Sequence, residues 1–244
     1  MWAVTMNIWI SGASGGIANA LINHYARDDN NRIVALSRSA VQFEHNNVVA
    51  HQWHACAPAD GAGDGVGISG LLQDVPPDIV IACQGILHDD HHQPEKNLSQ
   101  LSLPWLQHSV EVNLWSHIAL AQQLVPVVRR QHPLRWVSLS AMVGSIEDNR
   151  LGGWYSYRMT KAALNMFIKN LSLEWQSKSP QSCVVAMHPG TTDTALSQPF
   201  QANIADGKLY QSDTTASRIA AVIEQLTAEQ SGTLYHWDGS RLPW

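Results

Sequence analysis

The sequence predicts an α/β protein: a doubly wound parallel sheet of seven strands with helices on both of its faces. Three observations lead to this fold class. Short apolar runs alternate with helical patterns along the chain, the first run enters a glycine-rich turn, and several runs are apolar without interruption. Uninterrupted runs are typical of parallel strands, because helices bury both faces of such a sheet. The 244 residues show no composition break, repeat or long linker, so we expect one domain over residues 1–244.

Composition excludes several kinds of partner. The formal net charge is −5 and no basic run occurs, so nucleic acid and anionic membrane surfaces are poor candidates. No apolar run is long enough to span a membrane, and the first residues lack the charged region and cleavage site of a signal peptide. The three cysteines are scattered without disulfide or zinc spacing, which favours a cytoplasmic protein. Met6 directly precedes the first strand and is an alternative start to Met1.

The first predicted strand, 7–10, leads into the turn Gly12-Ala13-Ser14-Gly15-Gly16, and a helical pattern follows from Ile17. Strand, glycine-rich turn and helix form the context of a phosphate-binding loop. Glycines let the backbone approach a pyrophosphate, and the helix N-terminus presents free N–H groups and a partial positive charge. A glycine-rich turn without a ligand is the alternative, because this motif alone is weak evidence.

The second predicted strand, 32–36, is followed by Arg38, and no Asp or Glu occurs before Glu44. An acidic residue here would accept hydrogen bonds from the ribose hydroxyls of NAD, whereas Arg suits the 2′-phosphate of NADP. The sequence therefore favours NADP(H) over NAD(H). The alternative is a solvated Arg38 at the end of a strand.

The middle of the chain continues the alternation of strands and helices. A third strand is predicted over 48–53, a loop over 57–67, a short helix over 68–72 and a fourth strand over 78–82. The fourth strand ends in Cys83-Gln84-Gly85, and a His/Asp cluster follows over 88–92. That cluster is crowded into one loop without the ligand spacing of a metal site, so no metal centre is predicted.

The second half carries the longest helical pattern and three more strands. Residues 102–128 place Leu106, Val110, Leu114, Ile118, Ala121 and Val125 on one predicted apolar stripe, with Asn113 beside it. The Asn113 side chain is either hydrogen-bonded within the fold or placed at a functional site, and periodicity alone does not distinguish these alternatives. Strands are predicted over 134–139, 183–187 and 234–237, with a poorly periodic segment over 197–213 and a helix over 217–226.

Tyr157 and Lys161 lie four residues apart in a helical pattern, so their side chains leave the same helix face. A Tyr hydroxyl is a poor proton donor and acceptor at neutral pH, and a neighbouring ammonium lowers its pKa by stabilising the phenolate. The pair therefore suits acid/base chemistry on a carbonyl or alcohol. An exposed Tyr and a solvated Lys on a surface helix form the alternative.

In this order the motifs resemble those of the short-chain dehydrogenase/reductase family. The resemblance covers nearly the whole chain and rests on Gly12-x-x-x-Gly16-x-Ala18, Gly85, Asn113, Tyr157-x-x-x-Lys161 and Pro189-Gly190. The residues over 143–146, 152–158 and 161–165 are similar to those of the C-factor-like and sniffer-like carbonyl reductase branch. The resemblance implies a Rossmann fold and an NADP(H)-dependent oxidoreductase that transfers hydride to or from a small carbonyl or alcohol.

The resemblance also implies roles for individual residues. Tyr157 would give the proton to the carbonyl oxygen, Lys161 would bind the nicotinamide ribose and favour the Tyr anion, and Asn113 would help hold a water chain to Lys161. The cofactor would be contacted by Gly12, Ser14, Gly16, Ile17, Arg38, Cys83, Gln84, Gly85, Tyr157, Lys161, Pro189, Gly190, Thr192 and Thr194. A homodimer or homotetramer is implied, with Leu114, Ala162, Ala163 and Met166 as candidate contacts.

Several positions depart from the family pattern. Ala18 replaces the third turn glycine, Cys83-Gln84-Gly85 stands for the usual Asn-Ala-Gly, and His54 stands where an Asp commonly follows the third strand. The family's catalytic serine falls on Ala141. Ser140 and Ser145 are the alternative sources of that hydroxyl, and we favour Ser140. Because of Ala141, a catalytically weak cofactor-binding sensor or signalling protein is the alternative function.

Overall fold

The structure, a computed structural model, describes residues 5–56 and 68–244. The loop predicted over 57–67 and the alternative start Met1 lie outside these residues. The described residues form ten strands: β1 (Asn7–Ser11), β2 (Arg32–Ser37), β3 (Val48–Gln52), β4 (Ile79–Ala82), β5 (Arg135–Leu139), β6 (Cys183–His188), β7 (Thr191–Thr192), β8 (Leu209–Tyr210), β9 (Leu234–His236) and β10 (Arg241–Leu242).

Six α-helices connect the strands: α1 (Gly16–Ala26), α2 (Ser69–Asp74), α3 (Leu103–Val110), α4 (Ser116–Leu124), α5 (Tyr155–Lys178) and α6 (Ser212–Gln225). A π-helical turn, Glu111–Trp115, joins α3 to α4. Short 3₁₀ turns lie at Leu98–Gln100, Met142–Gly144, Gln198–Asn203 and Ala228–Gln230. Within the described ranges, no helix is both long and apolar enough to cross a membrane.

The predicted α/β fold class is confirmed. The main sheet has the order β10-β9-β6-β5-β4-β1-β2-β3, and the seven strands from β9 to β3 run parallel. The prediction of a seven-stranded sheet missed an eighth strand, β10, which pairs antiparallel with β9. The chain reverses at Gly239, whose φ of +84° favours glycine, and this places Arg241 opposite Tyr235.

Each face of the sheet packs against its own helices. In β1, Ile8 and Ile10 point into a core shared with α1 and α6, whereas Trp9 points into a core shared with α2, α4 and α5. All three side chains are fully buried. This alternation follows from the period of two along a strand, and apolar residues on both faces explain the uninterrupted apolar runs of the sequence.

The helical pattern predicted over 102–128 is wrong in three respects: its continuity, its end and its buried face. The described helix is interrupted at Glu111–Trp115 and α4 ends at Leu124, shortly before Pro126, whose ring removes an N–H and restricts the preceding residue. The buried face includes Asn113 and His117, while Val110 and Val125 of the predicted stripe are 38% and 46% exposed. Hydrogen bonds inside the protein satisfy these two buried polar side chains. The spacing of hydrophobic residues therefore predicted the wrong buried face for this helix.

The poorly periodic segment over 197–213 is anchored near the carboxyl end of β6. Strand β8 pairs in parallel with β7, with Thr191 opposite Leu209 and Thr192 opposite Tyr210. The 3₁₀ turn Gln198–Asn203 lies between them in the chain. The fold therefore brings this segment to the edge of the sheet where the candidate site lies.

Trp136 provides a test of the second core. Its side chain is fully buried, its ring meets Trp175 edge-on at 6.0 Å, and its Nε1 donates to Ser138 Oγ at 2.9 Å. Trp136→Phe should lower the free energy of unfolding by ~2 kcal/mol, because it leaves a cavity and removes a buried hydrogen bond. Urea denaturation measures this loss. The matched variant Trp115→Phe changes a 41% exposed side chain and should cost no more than ~0.5 kcal/mol, and equal losses would contradict the packing.

Candidate active site

The glycine-rich turn packs against the segment that follows β4. Gly12 has a φ of +78°, and a Cβ there would lie 3.1 Å from the backbone nitrogen of Gln84. No side chain caps the N-terminus of α1, so its first N–H groups are available to a ligand. A turn of glycine backbone before an uncapped helix fits a pyrophosphate.

A first cavity of about 160 Å³ opens at the carboxyl ends of β1, β2 and β4. Of the predicted cofactor residues, it is lined by Gly12, Ser14, Arg38, Cys83, Gln84 and Gly85. His54 and Glu111 also line it, and the sequence analysis did not assign Glu111 to the site. The carboxyl end of a doubly wound sheet is where ligands bind in this architecture.

A second cavity of about 310 Å³ shares Cys83, Gln84 and Gly85 with the first. Of the predicted site residues, it is also lined by Ile17, Ser140, Tyr157, Lys161, Pro189, Gly190, Thr192 and Thr194. Gly16 and Asn113 line neither cavity. Gly16 packs directly against Thr194: a Cβ on Gly16 would lie 2.8 Å from Thr194 Cγ2. The fold thus gathers nearly all of the predicted residues around two adjoining cavities.

Tyr157 and Lys161 lie in the first two turns of α5 and both face the second cavity. Lys161 is 3% exposed, its Nζ donates to the carbonyl of Leu139 at 2.9 Å, and Nζ lies 5.8 Å from the centre of the Tyr157 ring. Burial lowers the pKa of Lys161 to about 8, opposed by the nearby Cys83. Burial raises the pKa of the Tyr157 hydroxyl, so the expectation that Lys161 lowers it is wrong for the free site.

Asn165 lies one turn beyond Lys161 and ties α5 to the end of β5. Its Oδ1 accepts from Ser140 Oγ at 2.6 Å, and its Nδ2 donates to the carbonyl of Gly144 at 3.3 Å. A Cβ on Gly144 would lie 2.8 Å from Lys161 Cβ, so this turn packs directly on the lysine. The sequence analysis missed Asn165, although its spacing of four from Lys161 places it on the same helix face.

The position of the family's catalytic serine is occupied by Ala141, which lines the second cavity. Ser140 also lines that cavity, but its hydroxyl donates to Asn165. Ser145 does not line it, and its hydroxyl donates to the carbonyl of Trp244 at 3.1 Å. Of the two alternative serines, therefore, Ser140 is the one at the cavity. That its hydroxyl orients a substrate stays a prediction.

Asn113 lies in the π-helical turn with its side chain fully buried. Its Oδ1 accepts from the backbone N of Ile86 at 2.6 Å, and its Nδ2 donates to the carbonyl of Ile86 and to Thr160 Oγ1, both at 3.0 Å. Asn113 therefore holds the segment after β4 against α5. Its place in a water chain stays a prediction.

His117 supports the same segment, and the sequence analysis missed it. Nε2 bonds the carbonyl of Gln84 at 3.1 Å, and Nδ1 bonds Ser138 Oγ at 3.0 Å. Burial, aided by the charge of Lys161, lowers the pKa of His117 to about 3. A carbonyl can only accept, so the neutral ring carries its hydrogen on Nε2 and accepts at Nδ1. Ser138 completes the chain by accepting from Trp136 Nε1.

The His/Asp loop over 88–92 is held by internal bonds at Asp89 and by His88, whose Nε2 lies 3.2 and 3.1 Å from the carbonyls of Ala195 and Leu196. Asp89 Oδ1 accepts from the backbone N of His91 and of His92, at 2.8 and 2.7 Å, and lies 2.9 Å from His92 Nδ1. In the part of the chain that the structure describes, no three His, Cys, Asp or Glu side chains are grouped to hold a metal ion. All three cysteines lie in that part and are unpaired.

Comparison with known proteins identifies the family. The model of the short chain dehydrogenase family matches residues 6–205. C-signal of Myxococcus xanthus is 30% identical over 134 residues, which are 54% of this chain and 75% of that protein. The 1-hydroxy-2-glutathionyl-2-methyl-3-butene dehydrogenase of Rhodococcus sp. (strain AD45) is 28% identical over 60% of this chain and 62% of that protein.

Solved structures share the fold over the full chain. Carbonyl reductase Sniffer of D. melanogaster superposes with a TM-score of 0.81 at 20% identity, covering 99% of this chain and 100% of that one. The NADPH-bound carbonyl reductase from chicken fatty liver superposes with a TM-score of 0.83 at 21% identity, covering 98% and 94%. With the family model matching most of its length, the chain belongs to the short-chain dehydrogenase/reductase family of oxidoreductases.

Proposed function

We propose that this protein is an NADP(H)-dependent oxidoreductase that transfers hydride between nicotinamide and a small, uncharged carbonyl or alcohol, with Tyr157 as the acid/base. The observation that carries the proposal is the placement of Tyr157 and Lys161. Both face one cavity, which adjoins the cavity at the glycine-rich turn through Cys83, Gln84 and Gly85. The likeness to C-signal and the Sniffer fold supports the carbonyl reductase branch.

The residues at the two cavities fit a dinucleotide. Gly12, Ser14 and the first N–H groups of α1 would hold the pyrophosphate. Arg38 lines the first cavity, where a guanidinium suits a 2′-phosphate. Thr192 and Thr194 line the second cavity, which suits the nicotinamide end. When bound, the nicotinamide supplies or accepts the hydride.

Proton transfer would fall to Tyr157. Burial raises the pKa of its hydroxyl, so the free site keeps the phenol protonated and able to donate to a carbonyl oxygen. After the proton leaves, the Lys161 ammonium favours the phenolate. The bond to Leu139 fixes the position of that ammonium.

The walls of the second cavity favour an uncharged substrate. Trp154 and Phe200 meet at 5.2 Å between ring centres, and Leu87, Met142, Val143 and Leu196 add further apolar surface. Among the described lining residues, no carboxylate or guanidinium side chain is present, and the ammonium of Lys161, although bonded to Leu139, keeps further N–H groups for the ribose and for Tyr157. A cationic substrate group would be desolvated here without a partner, and an anionic one would compete with the cofactor ribose and Tyr157 for Lys161.

One observation favours the sensor or signalling function as a second candidate. Ala141 stands at the serine position, and the nearby serine hydroxyls bond to Asn165 and Trp244. A relative named C-signal is compatible with such a role. The two candidates differ in turnover, because a sensor would bind the cofactor without consuming it in the presence of carbonyl compounds.

We further propose that the chain forms a homodimer or homotetramer through α5. Met159, Met166 and Leu173 recur every seven residues along this helix and are 43%, 61% and 56% exposed. Residues seven apart share a helix face, and such an apolar stripe on the surface favours association. Of the contacts expected from the resemblance, Met166 lies on this stripe, while Leu114, Ala162 and Ala163 are partly buried.

Cofactor preference tests the role of Arg38. Titration with NADPH and with NADH, followed by quenching of tryptophan fluorescence, should show NADPH bound at least tenfold more tightly. Arg38→Ala should abolish that preference and leave NADH binding unchanged, because the guanidinium would contact the 2′-phosphate alone. Equal binding of both cofactors by the wild type would contradict NADP(H) preference.

Tyr157→Phe should abolish reduction of a carbonyl panel and leave the dissociation constant of NADPH within about twofold. The change removes only the hydroxyl, and losing a general acid typically costs a factor of 10² or more in rate. Stopped-flow fluorescence and NADPH absorbance measure binding and turnover separately. Retained turnover in Tyr157→Phe would exclude Tyr157 as the proton donor.

Lys161→Met should change stability in a pH-dependent way. The pKa of Lys161 is about 8 in the folded chain against an ordinary 10.5, so the unfolded chain binds more protons between these values. The free energy of unfolding of the wild type therefore rises with pH in this window. At pH 7 the lysine is charged in both states, so the folded chain carries the whole cost of burying the ammonium.

Relative to wild type, the Lys161→Met variant should lose about 2 kcal/mol of unfolding free energy between pH 7 and pH 10, because it lacks this gain. Urea denaturation at the two pH values measures the difference, and pH-independent losses such as the Leu139 bond cancel. A difference that is the same at both pH values would contradict an ammonium buried in the site.

Met166→Glu should shift the protein toward the monomer, because a charge on the apolar stripe would be desolvated in the interface. Light scattering coupled to size exclusion measures the molar mass. Asn46→Glu, an exposed position in the turn before β3, is the matched control and should leave the mass unchanged. A wild-type monomer at all concentrations would overturn the proposal.

A further inference from the structure

Glu95 is a buried carboxylate at the start of the helix that carries Tyr157 and Lys161. The residue is 2% exposed and lies in the segment between β4 and α3. Its carboxylate accepts from the backbone N of Ser156, at 3.2 Å to Oε2, and from the Ser156 hydroxyl. A buried carboxylate is costly unless it is hydrogen-bonded, so these contacts hold both residues in place.

The carboxylate supplies what the start of α5 lacks. No side chain of the helix's own N-terminus caps it, and its first turn carries no acidic residue. Helix starts leave unsatisfied N–H groups and a partial positive charge, which a carboxylate satisfies. Glu95 therefore acts as a cap that comes from a distant segment of the chain. Tyr157 is the next residue after the capped Ser156.

The backbone of Glu95 also fixes Trp154, which forms a wall of the second cavity. The carbonyl of Glu95 accepts from the backbone N of Trp154 at 2.5 Å. Trp154 has a φ of +51°, a left-handed conformation that costs energy in a non-glycine residue and needs such support. Its ring lies 6.3 Å from that of Tyr157 and 5.2 Å from that of Phe200.

We propose that Glu95 is a positioning residue for the reaction: by holding residues 154–156, it sets both the hydroxyl of Tyr157 and the aromatic wall formed by Trp154. This inference rests on the proposed function for the reaction that it serves. Thr160, bonded to Asn113 and to the carbonyls of Ser156 and Tyr157, holds the following turn. Glu95 holds the first turn through Ser156 and Trp154, and Arg158 bonds the carbonyls of Gly152 and Gly153 just before it.

The test compares Glu95→Ala, Glu95→Gln and Ser156→Ala in the full chain. Glu95→Ala should lower kcat at least tenfold and raise KM for the carbonyl several-fold, with NADPH affinity within twofold of wild type. Glu95→Gln keeps one acceptor oxygen and should recover part of this loss of activity. Ser156→Ala should show the same activity as Glu95→Gln. Glu174→Ala, which removes an exposed carboxylate of α5 paired with Lys178, is the control and should change nothing.

Hydrogen–deuterium exchange gives a readout that needs no turnover. In Glu95→Ala the amide of Ser156, which loses its acceptor, and the amide of Trp154, whose acceptor is the displaced backbone of Glu95, should exchange at least tenfold faster. In Glu95→Gln, which keeps one acceptor oxygen, the increase should be smaller, and in both variants the strands of the sheet should keep their protection. If kcat per folded molecule stays at the wild-type value, or if these amides keep their protection, the positioning role is overturned. If the wild type turns over no carbonyl, the proposed function falls and the exchange data alone decide the role of Glu95.

Discussion

The site depends on one constraint: the ammonium of Lys161 is buried beside the sheet. A buried ammonium needs a fixed hydrogen-bond partner, and the carbonyl at the end of β5 provides it. Gly144 then packs on the lysine backbone with no room for a Cβ, and this brings the turn after β5 against α5. Tyr157, one helical turn earlier, is thereby placed in the cavity that this turn borders. The same burial lowers the pKa of Lys161 to about 8, close to the range in which a proton can be exchanged.

Three further buried polar side chains fix the segments around this pair. Asn113 bonds Ile86, His117 bonds Gln84 and Asn165 bonds both Ser140 and Gly144, so each joins a helix to a loop at the carboxyl edge of the sheet. Buried polar groups that are fully bonded specify one arrangement, since shifting any partner leaves an unsatisfied group. Loops at the carboxyl edge of a sheet are otherwise its more mobile part.

The sequence was sufficient to predict those parts of the molecule whose structure is determined by local sequence pattern. Each of the seven parallel strands was predicted within two residues at either end. Most of them are apolar runs buried on both faces, whereas the edge strand β3 is largely exposed. The glycine-rich turn and the Tyr157–Lys161 pair have fixed spacing and were found in the same way. Strand β10 has two residues and carries no such pattern, so its pairing follows only from the turn at Gly239.

The remaining features depend on contacts between distant segments. Glu95 has the sequence context of an ordinary surface residue, and only the fold places it at α5. Asn165 lies on the helix face of Lys161 by its spacing, but its bond to Ser140 follows only from the fold. The helix before α5 buries Asn113 and His117, so hydrophobic spacing alone selected a face that leaves Val110 exposed. Ser140 and Ser145, one residue before and four residues after Ala141, were the two alternatives, and Ser140 was favoured. The structure separates them through partners 25 and 99 residues away in the chain, Asn165 and Trp244.

Isotope transfer tests the central claim most directly. Purified protein would be incubated with NADPH that carries deuterium at C4, using each C4 epimer separately, together with a panel of uncharged aldehydes and ketones. The account predicts that one epimer delivers a single deuterium to the carbinol carbon of the product alcohol, detected by mass spectrometry. Bound NADPH with no deuterium in any product from either epimer would contradict it and would favour a sensor that binds the cofactor without consuming it.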